Sequence, residues 1–437
     1  MGSFVPNTAA QQQEMLHAAG YAGWDELFAG LPQGVRLQGA LDLPAGMSEL
    51  EAGRHLEELA EKNVRYRHIF RGAGAYDHYI PAIVGRVTRK ETFLTAYTPY
   101  QAEISQGVLQ SIFEYQSMIC TLTGMDTANA SVYDGAAAAA EAAAMCEDKK
   151  RGVVLAAATV PPEVRRVIET YCFGRGTEYR EVPAKDGTVD LAALESMLGA
   201  DTACLILAQP NYFGVLEPAR EAGALCHAAG AKFVMSCNPI SLGLLETPAA
   251  CGADVAVGEG QPLGMPLSWG GPYLGYMAAT AAMMRRLPGR IVGETTDAEG
   301  RRAYVLTLQA REQHIRREKA GSNICSNEAL CALTAAVYLA AEGPDGLRET
   351  ASQCCAKAHY LQKQLAAAGL APVYGRPFFH EFVTRCADAD GVLAALAAHG
   401  ILGGLPLGGG QILWCATEKN TKAEMDEAAA LAKEVLG

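Results

Sequence analysis

Hydrophobic positions fall into three regimes along the chain. Up to about residue 75 they are sparse, and where they repeat they do so at helical spacing. In "SELEAGRHLEELAEKNV", Leu50, Leu56, Leu59 and Val64 recur at near-helical intervals, with Ser48 placed to cap the helix. From Arg151 onward, short apolar runs alternate with amphipathic stretches. "GVVLAAATV", "TEYREVP", "ACLILAQPN" and "KFVMSC" read as strands. "PPEVRRVIETYCF", "DLAALESML" behind Asp190 and "PAREAGALCHAAG" closed by Gly230 read as helices. This alternation implies right-handed crossovers and a mostly parallel sheet covered on both faces. After about Asn327 two long helices (328–341 and 344–368) precede "APVY", "FHEFVTR", a helix near Gly391 to His399, "QILWCAT" and a last amphipathic helix. The pattern predicts an N-terminal helical segment over 1–75, a large α/β domain over 76–326 and a small C-terminal α+β domain over 327–437. No internal repeat is present, and the alanine run Ala136 to Ala140 is short enough to belong to a helix.

Two stretches carry more than a secondary-structure signal. "TPYQAEISQGVLQSIFEYQSMICTLTG" predicts a long helix with Thr98 as N-cap, Pro99 in the first turn, Gln101 completing a capping box and Gly124 as terminator. A helix start lined by hydroxyls suits a carboxylate or a phosphate. The second stretch, "VGEGQPLGMPLSWGGP" (Val257 to Pro272), follows an apolar segment that reads as a strand. In such sheets, ligands bind beyond the carboxyl ends of the strands. This loop offers one carboxylate (Glu259), one amide (Gln261) and one hydroxyl (Ser268), and it has no lysine, histidine or cysteine.

Composition narrows the function classes. Half of the 437 residues are apolar, enough for a sizeable core, and the net charge of −12 argues against nucleic acid, which needs clustered cations. No apolar run approaches a membrane helix. The N-terminus lacks the pattern of a secretory signal, and Pro6 stands where a myristoylation motif needs Ser or Thr. Thirteen cysteines without CxxC pairs read as reduced thiols, mostly buried, in a cytoplasmic protein. Cys354 and Cys355 are adjacent and receive no role.

Longer strings sharpen the picture. "YTPYQAEISQG" (Tyr97 to Gly107), "NASVYDGAAAAAEA" (Asn129 to Ala142), "QPNYFGVLEP" (Gln209 to Pro218) and "LQAREQHIRREKAGSNICSNEAL" (Leu308 to Leu330) resemble the P-protein of the glycine cleavage system. The likeness is to subunit 1, the alpha subunit of the two-subunit bacterial form, over nearly the whole chain. The resemblance implies a fold-type I pyridoxal phosphate enzyme fold. It implies glycine decarboxylation with transfer of the aminomethyl group to the lipoyl arm of H-protein, and a companion beta subunit, in a heterodimer or heterotetramer, that carries pyridoxal phosphate on its lysine. Counting back from Gly270-Gly271-Pro272, the family's lysine position falls on Gln261, and no lysine occurs between Lys232 and Lys319. The aspartate that fold-type I enzymes hold against the pyridine nitrogen has no counterpart in "KFVMSCNPISLGLL", where Ser236 and Cys237 end the strand. Asp134 precedes the helix whose N-terminus holds the cofactor phosphate in that fold. At about 5 Å and an effective dielectric near 20, each carboxylate–phosphate charge pair is repulsive by roughly 3 kcal/mol. No metal is expected.

The resemblance nominates Tyr97, Thr98, Tyr100 and Gln101 for a site shared with the companion; a capping box with two packed tyrosines is the plainer reading. Arg311 and His314 lie three apart, as on one helix face, beside Arg316, Arg317 and Lys319, which read as solvated. His78, in the glycine-loosened "GAGAYDHYIP", is a catalytic candidate or a satisfied structural histidine. Asn323 and Cys325 either line the pocket or form a turn before a helix.

Overall fold

The computed structural model describes residues 5–37, 39, 41–94, 98–308, 312–324 and 326–437. The chain divides between Val64 and Arg65 into two compact units.

In the first unit, Thr8 and Ser48 open the helices Ala9–Ala18 and Glu49–Ala60 with reciprocal boxes. Each hydroxyl accepts the third helical amide, and Gln11 or Glu51 accepts the cap's own amide. Ser48 is thus the cap its position implied. Leu16 is the one buried residue among those described here. Leu50, Leu56 and Leu59, which give the second helix its apolar stripe, are all exposed.

The second unit is built on a seven-stranded sheet. In chain order its strands are β1 (Thr127–Ala128), β2 (Val153–Ala157), β3 (Glu178–Val182), β4 (Thr202–Gln209), β5 (Lys232–Cys237), β6 (Val255–Glu259) and β7 (Gly275–Ala279). Their spatial order is β1-β7-β6-β5-β4-β2-β3. Strands β2 to β6 run parallel, and β7 lies antiparallel between β6 and β1. Every residue of β2 and β4 is buried, as expected for strands covered on both faces, and this explains their unbroken apolar runs.

A four-stranded antiparallel sheet (Ala371–Pro372, Glu381–Arg385, Gln411–Cys415, Leu405–Gly408) packs a separate core around Phe382, Trp414, Leu361 and Met425. Phe70 belongs to that core, and His68–Ile69 pairs in parallel with Ile401–Leu402. The stretch just after Val64 is therefore extended and serves the C-terminal sheet rather than an N-terminal helix. The helix Ala329–Ala367 breaks at Gly343 (φ 63°), just before Pro344, so the two-helix reading of this stretch holds. Its first half buries Cys331, Ala335 and Tyr338 in the large core, and its second half buries Ala358, Leu361 and Leu365 in the C-terminal one.

One sequence expectation fails. The long helix begins at Gln106, not at Thr98, and ends as expected at Gly124 with φ 72°. Its N-cap Ser105 makes no side-chain cap, and Gln101 is exposed ahead of a single 3-10 turn, Ala102–Ile104. Tertiary hydrogen bonds override the local capping signal. The Gln106 amide group donates to Tyr304 O (2.9 Å) and accepts from Tyr304 N (2.8 Å), which fixes the helix start. Arg290 donates to the Tyr100 hydroxyl at 3.0 Å, which holds the preceding segment out of helical geometry.

Candidate functional site

A cavity of about 460 Å³ opens at the carboxyl ends of the parallel strands. Strands β4, β5 and β6 bring Ala208, Ser236, Cys237 and Glu259 to its floor, and the helix Gly135–Cys146 points its N-terminus at it. Four carboxylates line it (Asp134, Glu163, Glu259 and Glu328), and among the described residues the lining contains no lysine, arginine or histidine.

The helix N-terminus is already occupied by the chain itself. Asp134 Oδ1 accepts the Ala137 amide at 2.7 Å, the N-cap bond expected of that residue. Glu259 Oε2 accepts the Gly135 amide at 2.9 Å, and its Oε1 accepts the amides of Gln261 (2.9 Å) and Leu274 (3.0 Å). A glycine is needed at 135 because a Cβ there would lie 2.7 Å from Glu259 N. Burial raises the Glu259 carboxyl to about 7 against the pull of its three amide donors, and the charge of Asp134 pushes the same way as burial.

Gln261 is 1% exposed and fully engaged. Its Nε2 donates to Tyr76 O (2.9 Å) and Met265 O (2.8 Å), and its Oε1 accepts from Tyr76 N (2.9 Å). It stitches the loop after β6 to the segment around Tyr76. Cys237 is buried, which raises its thiol pKa well above the ordinary value, and Ser236 beside it is half-buried.

Residues 2–431 match the family model described as "Glycine cleavage system P-protein". The chain belongs to this P-protein family. It is 54% identical over 443 residues to the probable glycine dehydrogenase (decarboxylating) subunit 1 of Moorella thermoacetica, covering 99% of this chain and 100% of that one. The counterpart in Carboxydothermus hydrogenoformans is 50% identical, with 97% of each chain covered. Among solved structures, an inhibitor-bound glycine decarboxylase (P-protein) of the glycine cleavage system superposes with a TM-score of 0.92 at 42% identity over the whole of both chains. An alanine–glyoxylate aminotransferase from Nostoc sp. matches at TM-score 0.59 and 18% identity, covering 86% of this chain and 96% of that one; it shares the fold alone. The architecture is that of fold-type I pyridoxal phosphate enzymes.

Against the cofactor of that fold, the P-protein site described above does not fit. Gln261, the residue expected at the lysine position, has its hydrogen bonds spent on the backbone. Ser236 and Cys237 offer no carboxylate to a pyridine nitrogen. The helix amides that attract a phosphate are held by Glu259 and Asp134, and the described residues of the wall include four acids and no cation.

The other nominated residues scatter. Thr98 is half-buried and lines a separate cavity with Arg290. Tyr100 is 51% exposed, with its hydroxyl on Arg290. His314 is exposed and lies 3.3 Å from Glu312, at a short helix, Gln313–Arg316. Asn323 is exposed and lines a shallow depression with Arg175 and Arg317, away from the strand ends. Tyr97, Arg311 and Cys325 lie outside the described residues.

His78 is buried, with Nδ1 2.8 Å from Glu418. Cys354 donates to the same carboxylate at 3.2 Å, and the ligand-type atoms of these three residues lie within 4.8 Å of one another. Burial opposes the ionisation of Glu418, but the donors from His78, Tyr79 and Cys354 hold its carboxyl down at about 2. His380, whose neighbour is Tyr76 (rings 4.6 Å apart), is pushed down to about 3 by burial and then by His78. These groups form a buried polar seam that ties the Tyr76–Tyr79 segment to the C-terminal sheet. The sequence reading missed Glu259 as an occupant of the helix N-terminus, and it missed Arg290 and Glu418 altogether. Their partners Gly135, Tyr100 and His78 lie more than a hundred residues away, so no local spacing marks them.

Proposed function

We propose that this chain is the cofactor-free subunit of a two-subunit glycine decarboxylase. In this reading a companion beta subunit carries pyridoxal phosphate on its own lysine and decarboxylates glycine there. The aminomethyl group then passes to the lipoyl arm of H-protein. The chain lends the Tyr97 to Gln101 segment to a shared site, and Arg311, His314, Asn323 and Cys325 are further candidates for it. His78 serves the fold through Glu418. Family membership supports the reaction, and the observation that supports the division of labour is the strand-end cavity. Its anion position is filled by Glu259 and its lysine position by a fully bonded Gln261.

No described helix is long and apolar enough to cross a membrane, and the proposed compartment is the cytoplasm. The test is exchange of labelled bicarbonate into the glycine carboxyl. The isolated chain is expected to give none, and the chain with its beta subunit and lipoylated H-protein is expected to give robust exchange. Exchange by the chain alone would overturn the assignment. If Tyr100→Phe and Gln101→Ala complexes assemble and turn over normally, the chain is a scaffold only.

A further inference from the structure

Among the described residues, Arg290 is the one arginine or lysine that is buried, at 3% exposure. It forms no ion pair with any described carboxylate. The residues outside the description (1–4, 38, 40, 95–97, 309–311 and 325) include no aspartate or glutamate. Its side-chain hydrogen bond and its ring contact are both with Tyr100: Nη2 donates to the hydroxyl at 3.0 Å, and the guanidinium carbon lies 5.0 Å from the ring centre. Its Nε is buried without a hydrogen-bond partner. Taking a guanidinium out of water without a counter-charge is unfavourable by several kcal/mol, so buried charges are paired in stable proteins.

Arg290 borders a cavity of about 250 Å³ that also holds Thr98, Ser111 and Asn327 among apolar residues such as Leu330 and Leu333. Among the described residues no acidic side chain lines it. Ser111 and Asn327 are uncharged and donate to Val108 O and Ala130 O, so they supply no counter-charge to the guanidinium. This cavity is the opposite of the acid-walled one at the strand ends: it is small, partly apolar, and carries a single uncompensated positive charge.

We propose that the Arg290 cavity is a carboxylate-binding site. The planar guanidinium fork matches a carboxylate, and the apolar walls accept a short aliphatic stem. A small monocarboxylate and a glutamate or aspartate side chain of the companion subunit share this chemistry. The inference stands on the buried charge of Arg290 and holds whether or not the chain lends residues to a shared active site.

The probe is sodium acetate against sodium chloride at equal ionic strength, read by thermal unfolding and calorimetric titration of the isolated chain. Acetate should raise the melting temperature of the native chain saturably, while Arg290→Met should show no saturable response. In chloride, Arg290→Met should melt at or above the native chain, because it removes a buried charge that has no partner. Arg290→Lys keeps the charge and loses the fork, so it should bind acetate about tenfold more weakly, a loss of about 1.4 kcal/mol. Repeating the titration on the assembled complex separates the two sources. Loss of the acetate response assigns the site to a companion carboxylate, and its retention assigns the site to a small molecule. An acetate response that is absent in the native chain, or equal in native chain and Arg290→Met, would overturn the proposal. None of these readouts depends on glycine turnover.

Discussion

Glu259 and Gly135 are 124 residues apart in sequence, yet the Glu259 carboxylate accepts the Gly135 amide at 2.9 Å. This contact puts a side chain of the chain itself on a helix N-terminus, whose free amides would otherwise attract an anion. The same carboxylate serves the amides of Gln261 and Leu274. Glu259→Ala is expected to lower stability by about 3 kcal/mol, because three donors lose a charged acceptor in a mostly buried place. Denaturant unfolding checks this; an unchanged midpoint would show that water replaces the carboxylate without penalty.

The pH dependence of stability follows from two buried acids. Burial raises both Glu259 and Glu381 to about 7, against their hydrogen-bond donors. A folded-state value above the unfolded one of about 4.5 means stability is fully present below pH 4.5 and is lost as pH rises through 7. Each group should contribute a slope of up to about 1.4 kcal/mol per pH unit in that window. Glu418 works in the opposite sense: it is held at about 2, so its contribution is fully present above about pH 4.5 and is lost as pH falls from there toward 2. Glu381→Gln should flatten the fall in melting temperature between pH 5 and 7, and melts at three pH values decide it.

Gln261→Ala should destabilise the chain by about 2 to 4 kcal/mol, since it strands Tyr76 N, Tyr76 O and Met265 O in a buried place. Gln261→Lys should not create a competent enzyme even if borohydride reduction attaches pyridoxal phosphate at position 261. The helix amides stay occupied by Asp134 and Glu259, and misplacement of a reacting group is costly in rate. Mass spectrometry of the reduced adduct, beside glycine decarboxylation without a beta subunit, gives the answer. Efficient turnover would contradict the account of the filled site.

Two caps that look alike in sequence should respond differently. Asp134→Ala removes a real N-cap and should lower stability by about 1 kcal/mol. Thr98→Ala should change stability by less than about 0.5 kcal/mol, because no helix begins there. If Thr98→Ala also lowers turnover of the assembled complex while the melt is unchanged, the shared-site role of that segment is supported. An equal loss of stability in both variants would restore the capping reading.

Much of the fold was legible because it rests on local pattern. Continuous apolar runs in β2 and β4 follow from burial on both faces, and the Gly343–Pro344 break follows from the residues themselves. Ser48, Asp134 and Asp190 each cap the helix their position implied.

What the sequence could not place was anything decided by a partner far along the chain. Thr98, Pro99 and Gln101 carry a sound capping signal worth about 1 kcal/mol, and it lost to the Gln106–Tyr304 and Arg290–Tyr100 hydrogen bonds, which join segments nearly two hundred residues apart. Glu259 in a glycine-rich loop gave no hint that it closes a helix N-terminus, and a lone arginine in "PGRIV" gave none that it would be buried without a carboxylate. Local pattern determined which elements form, because propensity and periodicity act over a few residues. Tertiary packing alone decided which charges meet, because desolvation and pairing depend on what the fold brings together.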